Sequence, residues 1–200
     1  MAVFASTVLT YCAFGYTSLK AYHLCLAVLA GHYSAIGLLA YYVIVSALFL
    51  RRSKAKLETQ DPWDWASAIV ATWLPVHFNA AEPVADWISY VAGPMQLLGT
   101  AGMLFAISEL STSFGIVPAN RGIKTQGAYQ LVRHPLYLAE LLTVSGFVLM
   151  NYSASNGMLL VILVSLQVQR IVNEERLLRQ EAEYEGYCVH VPYRLVPHVF

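Results

Sequence analysis

The chain is short of charge. Asp, Glu, Lys and Arg make up 12% of its 200 residues, about half of the ~25% found in an ordinary soluble domain. Two stretches hold none of them, Ala21 to Leu50 and Leu141 to Gln169, and each exceeds the ~18 apolar residues that mark a membrane span. This composition predicts an integral membrane protein. Basic and acidic residues balance at 12 each, so total charge suggests no nucleic-acid partner. Cysteine is also scarce. Cys12, Cys25 and Cys188 lie far apart without Cys-x-x-Cys spacing, which indicates neither a disulfide framework nor a zinc site. His23, His32 and His77 lack ligand spacing as well, and no metal is expected. The chain has no strand–Gly-x-Gly–helix unit of the kind that soluble cofactor-binding folds use. Its Gly99-Thr100-Ala101-Gly102 run lies inside an apolar span, where close helix packing explains it. No basic leader precedes the first apolar run and no clear Ala-x-Ala site follows it, so a retained first span is expected.

What is present is a series of apolar blocks with polar punctuation. Val3 to Leu50 is too long for one helix across a ~30 Å hydrocarbon core at ~1.5 Å per residue. Two helices joined near Gly31-His32 fit it better, and Arg51-Arg52-Ser53-Lys54-Ala55-Lys56 stops the second. A third span is predicted over Trp63 to Phe78, with Trp63 and Trp65 in the interfacial aromatic belt and Pro75 kinking or ending it. Asn79 to Glu82 forms a turn. A fourth span covers about Val84 to Glu109, with Pro94 inside. Ser111 to Arg133 is the longest polar segment. A helical pair follows, Leu136 to about Tyr152 and about Met158 to Val172, and then a charged helix and a Pro-containing coil to Phe200.

The predicted fold is therefore an all-α integral membrane protein with about five or six transmembrane helices and a cytoplasmic C-terminal helical tail. Residues 1–107 form the N-terminal helices, and residues 108–200 hold the loop, hairpin and tail that carry the chemistry. With the Arg51–Lys56 loop cytoplasmic, six spans bring every Lys and Arg except Lys20 to or near that face, as the positive-inside rule requires.

The chemistry-bearing run is Gly127-Ala128-Tyr129-Gln130-Leu131-Val132-Arg133-His134-Pro135-Leu136-Tyr137. Proline is favoured at the first helical position, so the next span should start at Pro135 and aim its dipole-positive end at the boundary. Such an end suits an anion. Arg133 adds a permanent forked donor and His134 a titratable one, and Tyr137 stands one turn inside. A second constellation is Arg170-Ile171-Val172-Asn173-Glu174-Glu175. Arg170 and Glu174 share a helix face at i, i+4, at the depth of Arg133, where ionisable groups are costly unless they pair or bind something. Glu175 and Arg179 are also four apart and read as a solvated surface pair. Glu109 and Glu140 are acids near span ends, and Glu140 stands one turn after Tyr137. The third piece is Tyr184 and Tyr187 with the ending Val191-Pro192-Tyr193-Arg194-Leu195-Val196-Pro197.

Taken in this order, the motifs resemble the isoprenylcysteine carboxyl methyltransferase family, which groups with the membrane phospholipid methyltransferases. The likeness spans about Ser108 to Pro197. It implies an S-adenosyl-L-methionine cofactor in a cytoplasmic pocket built from the last two spans and the tail. By the same resemblance His134 and Tyr137 would contact the cofactor, and Glu174 or Glu175 would hold its amino group. Gly127, Tyr129 and Leu131 would line the approach to the adenosine, and Arg133 and Arg170 would be catalytic, positioning the substrate. Glu174 could also take a proton from an amine or thiol acceptor. The expected partner is a lipophilic or prenylated small molecule or a membrane lipid. The Arg-His-Pro-x-Tyr element is shared with sterol-type membrane reductases that use NADPH, which gives a second reading. A non-catalytic membrane lipid-binding protein is the third.

Overall fold

The computed structural model describes residues 2–30, 36–79 and 85–200. The predicted turn at Gly31-His32, most of the turn ending at Glu82 and the expected span start at Val84 lie outside them. The protein is mostly helical. Helices α1 (Ala2–Leu29) and α2 (Ile36–Arg51) form an antiparallel pair. Their register is fixed by the Ser46 hydroxyl donating to Thr17 at 2.9 Å, deep in the pair, and by Arg52 donating to Ser6 at 2.8 Å at its end. Helix α3 (Pro62–Trp73) starts where Asp61 accepts from the Trp63 N–H at 2.9 Å and Pro62 occupies the first position, the pairing of cap and proline that favours a helix start. It tightens into a 3₁₀ turn, Leu74–His77, at Pro75. Twelve helical residues reach only about 18 Å, so α3 is shorter than the other long helices.

Helices α4 (Asp86–Leu110) and α5 (Pro135–Met150) make the closest seam. A Cβ on Gly99 would come within 2.6 Å of the Thr143 N and 2.8 Å of the Ala139 O, and one on Gly146 within 2.8 Å of the Ala92 O. Backbones approach this closely only where side chains are missing. Helix α6 (Ala154–Leu178) runs without a break through the charged Asn173–Arg176 stretch. The last span and the charged start of the tail expected from Asn173 are thus one helix, because Glu, Arg and Leu are good helix formers and nothing interrupts them. The short helix α7 (Ala182–His190) follows. Among the described residues two segments are long and apolar enough to cross a membrane, Trp87–Ser113 and Ala154–Leu178, and Tyr42–Arg51 and Pro135–Met150 are shorter apolar helices.

The polar segments gather at one end of the bundle. Strand β1 (Leu57–Glu58) pairs antiparallel with β2 (Ala119–Asn120), and the Ser53 N–H donates to the Thr112 O at 2.9 Å. Asn120 reaches the tail, donating to Glu181 at 3.0 Å. At the opposite end the fully buried Asn156 amide bonds the Asn79 N–H and carbonyl and the Asn151 carbonyl, at 3.2, 2.9 and 2.6 Å. Between the two ends, Ala13, Val45, Phe49, Ala68 and Ile107 form an apolar core with Ile116 and Val117. The long polar loop therefore turns inward and inserts its 114–117 segment among the helices.

The α4–α5 seam generates a stability prediction. Gly99→Ala should lower the melting temperature in detergent, at a cost of about 1–3 kcal/mol for overpacking. Gly93→Ala, whose Cβ would meet nothing within 4 Å, should leave it unchanged or raise it through helix propensity. Equal melting temperatures for the two variants would contradict the seam.

Candidate functional site

The Gly127–Tyr137 run folds as a 3₁₀ turn, Gly127–Gln130, followed by a short link into α5. Gly127 has a φ of 59°, a left-handed conformation that costs glycine little, and a Cβ there would meet the Glu109 carboxyl carbon at 2.7 Å. This tight turn buries Tyr129, whose carbonyl accepts from the Tyr187 hydroxyl at 2.5 Å. The link then pairs with the C-terminal coil: the Arg133 N–H donates to the Tyr193 O at 3.0 Å and the His134 N–H to the Arg194 O at 2.9 Å. Helix α5 begins at Pro135, where the sequence expects it.

Glu175 sits at the centre of this region and is 1% exposed. Its Oε1 accepts from Arg133 Nε at 2.7 Å and lies 3.3 Å from His134 Nε2. Its Oε2 accepts from Arg194 Nε at 2.9 Å and stands 3.7 Å from Arg179. The solvated Glu175–Arg179 pair expected from i, i+4 spacing is thus corrected: Glu175 is buried, and the closest partner of Arg179 is Glu185 at 2.8 Å. Arg133 further donates to the Val191 and Pro192 carbonyls at 2.8 and 2.7 Å. Burial lowers the Arg133 guanidinium, but the bond to Glu175 and its charge outweigh that and hold it above its ordinary value.

A second network lies deeper. The Tyr137 ring stacks on His134 at 9° and its hydroxyl donates to Glu174 at 3.0 Å. Arg170 lies over the same ring at 4.9 Å. It donates to Gln167 at 3.3 Å and to the Ile116 carbonyl at 3.1 Å, and Gln167 in turn donates to Glu140 at 2.6 Å. No Arg170–Glu174 ion pair occurs among the described residues. Arg170 points toward the inserted loop instead.

The two networks flank a cavity of about 580 Å³ between the helices. Arg133, His134, Tyr137, Arg170, Glu174 and Tyr129 line it. Gly127, Leu131 and Glu175 do not: Gly127 abuts Glu109, Leu131 is 74% exposed, and Glu175 stands behind Arg133 and His134. Glu140, Tyr184 and Tyr187 also line it. Burial pushes the Tyr129, Tyr184 and Tyr187 hydroxyls above their ordinary range, so they stay neutral donors. Away from the polar end the wall becomes Ala13, Val45, Phe49 and Ile107, then Tyr16, Tyr42 and Trp73, with Lys20 beside the Tyr16 ring. The cavity draws on both 1–107 and 108–200.

Sequence reasoning missed Arg121. Its guanidinium is buried at the cavity wall, donates to Glu58 at 3.2 Å and lies against Gly115. Burial lowers its pKa, and Glu58 partly restores it. The signal for it is the Asn120-Arg121-Gly122 turn in the longest polar segment, with Gly122 at a φ of 101°. Among the described residues no group of three His, Cys, Asp or Glu could hold a metal.

Comparison with known families adds a second line. The phospholipid methyltransferase model matches residues 88–181. This region is similar to that family. The match takes in α4, the inserted loop, α5 and α6. It therefore starts well before Ser108, where the sequence resemblance begins, and ends short of α7. No curated protein matches the chain. The matched region carries most of the cavity wall.

The contrast between the adjacent glutamates is testable by melting. Glu175→Gln should cost about 3 kcal/mol or more, because it leaves buried cations without their carboxylate. Glu174→Gln, which keeps an acceptor for Tyr137, should cost under about 1 kcal/mol. Equal destabilisation would remove Glu175 from its structural role.

Proposed function

We propose that the protein is an S-adenosyl-L-methionine-dependent methyltransferase of the membrane, acting from the cytoplasmic side. The acceptor in this reading is the carboxylate of a prenylated cysteine or a related membrane-associated small molecule or lipid. The observation that carries the proposal is one continuous cavity with two chemically different ends, an aromatic and charged one among α5, α6 and α7 and an apolar one among α1, α2 and α4.

The cofactor fits the polar end by its chemistry. Glu174 accepts one bond from Tyr137 and has acceptor capacity left for an ammonium. The Tyr184 hydroxyl is buried without a partner, and a buried donor of this kind costs free energy unless a ligand satisfies it. His134, Tyr137, Tyr129 and Tyr187 supply aromatic surface for a purine and for a sulfonium cation. When bound, the cofactor supplies an electrophilic methyl group. The residues of the chain then need to orient the acceptor in line and keep water out, a task of placement more than of acid–base chemistry. Arg170 would hold an anionic acceptor, Arg133 would hold the tail over the site through Glu175, and Glu174 could receive a proton from an amine or thiol.

Loop charge supports the cytoplasmic orientation, since Arg52, Arg121, Arg133 and Arg194 all belong to the end where β1, β2 and the tail meet. Two measurements test the proposal. Purified protein in detergent should be stabilised against heat by S-adenosylmethionine and S-adenosylhomocysteine, following mass action; stabilisation by NADPH alone would sink it. Arg170→Ala should retain that stabilisation but lose methyl transfer by about 100-fold or more, the usual scale for removing a preorganised charge. Full turnover in this variant would remove Arg170 from the reaction.

A further inference from the structure

Two arginines converge on a single bend of the inserted loop. The Arg121 guanidinium lies against Gly115, where an added Cβ would come within 2.9 Å of its NH1 and 3.2 Å of its Cζ. Arg170 donates to the carbonyl of the next residue, Ile116, at 3.1 Å. Both side chains are more than nine-tenths buried, both line the cavity, and the Nε of each has no hydrogen-bond partner. A guanidinium Nε–H left unpaired in a buried wall is a donor waiting for an acceptor.

The surrounding charges leave room for an anion. Among the described residues Arg121 pairs with one carboxylate, Glu58, which it shares with Arg52 at 3.5 Å, so that cluster keeps a positive excess. Among the described residues Arg170 hydrogen-bonds two neutral groups, Gln167 and the Ile116 carbonyl, and feels the charge of Glu140 without bonding it. The two acids on the same cavity are each engaged, Glu140 by Gln167 and Glu174 by Tyr137. The bend also marks the change from polar to apolar wall, because Ile116 and Val117 pack into the core with Ala13, Phe49 and Ile107. An amphiphile with its charged group between the two guanidiniums would extend its chain along that apolar wall.

We infer that Arg121 is an acceptor-binding residue, which together with Arg170 seats the anionic group, carboxylate or phosphate, of an amphiphilic methyl acceptor. This rests on the methyltransferase reading for the word acceptor, but the anion site can be measured without it. Gly115 belongs to the same device, since a side chain there would displace the guanidinium.

The test uses the full chain in a non-ionic detergent, with oleate, oleyl phosphate and oleyl alcohol as probes and Trp fluorescence and melting as readouts, each with and without S-adenosylhomocysteine. Wild-type protein should bind oleate or oleyl phosphate at least about ten-fold more tightly than the alcohol, the scale of one charge-assisted hydrogen bond. Preference between the two anions then assigns carboxylate or phosphate. Arg121→Gln should abolish the preference for the anion while binding S-adenosylhomocysteine as wild type does. Arg121→Lys keeps a cation beside Glu58 but has no forked donor, and should weaken the anion by at least about three-fold; it decides the matter if the Gln variant does not fold. Anion binding that is equal in wild type and variants overturns the inference. So does loss of S-adenosylhomocysteine binding in Arg121→Lys, which would give Arg121 to the cofactor. Failure of wild type to bind S-adenosylhomocysteine while it still selects the anion would instead count against the methyltransferase reading and leave the anion site standing.

Discussion

The buried carboxylate of Glu175 is the constraint on which the polar end of the molecule depends. A charge 1% exposed is tolerable only when it is fully paired, and these partners come from two places outside its own helix. Arg133 and His134 precede α5, Arg194 belongs to the C-terminal coil, and Glu175 itself lies on α6. One carboxylate therefore ties two helices and the tail together. The tail is held further by backbone bonds from Arg133 and His134 to Tyr193 and Arg194. With the tail fixed, α7 brings Tyr184 and Tyr187 over the cavity, and the site acquires its aromatic wall.

The adjacent Glu174 is held differently. Its hydrogen bond comes from Tyr137 and it faces the cavity. Two neighbouring glutamates thus divide the work, one as the structural centre and one as a cavity acceptor with capacity to spare. Arg133 and Arg170 divide in the same manner: Arg133 bonds Glu175 and two tail carbonyls, whereas Arg170 reaches the inserted loop and keeps an unpaired donor. The adjacency of a rigid clamp and an unsatisfied set of donors is what a preorganised site requires.

How far the sequence reaches into this arrangement depends on the range of each signal. The start of α5 at Pro135, the proline within α4 and the two-helix division of the first block follow from local preferences, and all are readable from adjacent residues. The Arg133–Glu175 pair spans 42 residues, and no spacing rule reaches that far. Helical i, i+4 arithmetic pairs Arg170 with Glu174 and Glu175 with Arg179, but tertiary packing sends Arg170 to Ile116 and Glu175 to Arg133. Two-residue strands such as β1 and β2 are too short to show a period. The inward fold of the 114–117 segment was hidden for another reason: the surrounding glycines, prolines and charges read as an ordinary surface loop, and only the helices around it reveal that Ile116 and Val117 are core.

The most direct test of the central claim is transfer itself. Purified protein should be mixed with S-adenosylmethionine carrying a labelled methyl group and with a total membrane lipid extract, and the organic phase then counted. Label should enter a lipid-extractable product with wild-type protein and fall to background with Arg170→Ala. Absence of any labelled product from a protein that binds the cofactor, across carboxylate, phosphate, amine and thiol acceptors, would contradict a methyltransferase.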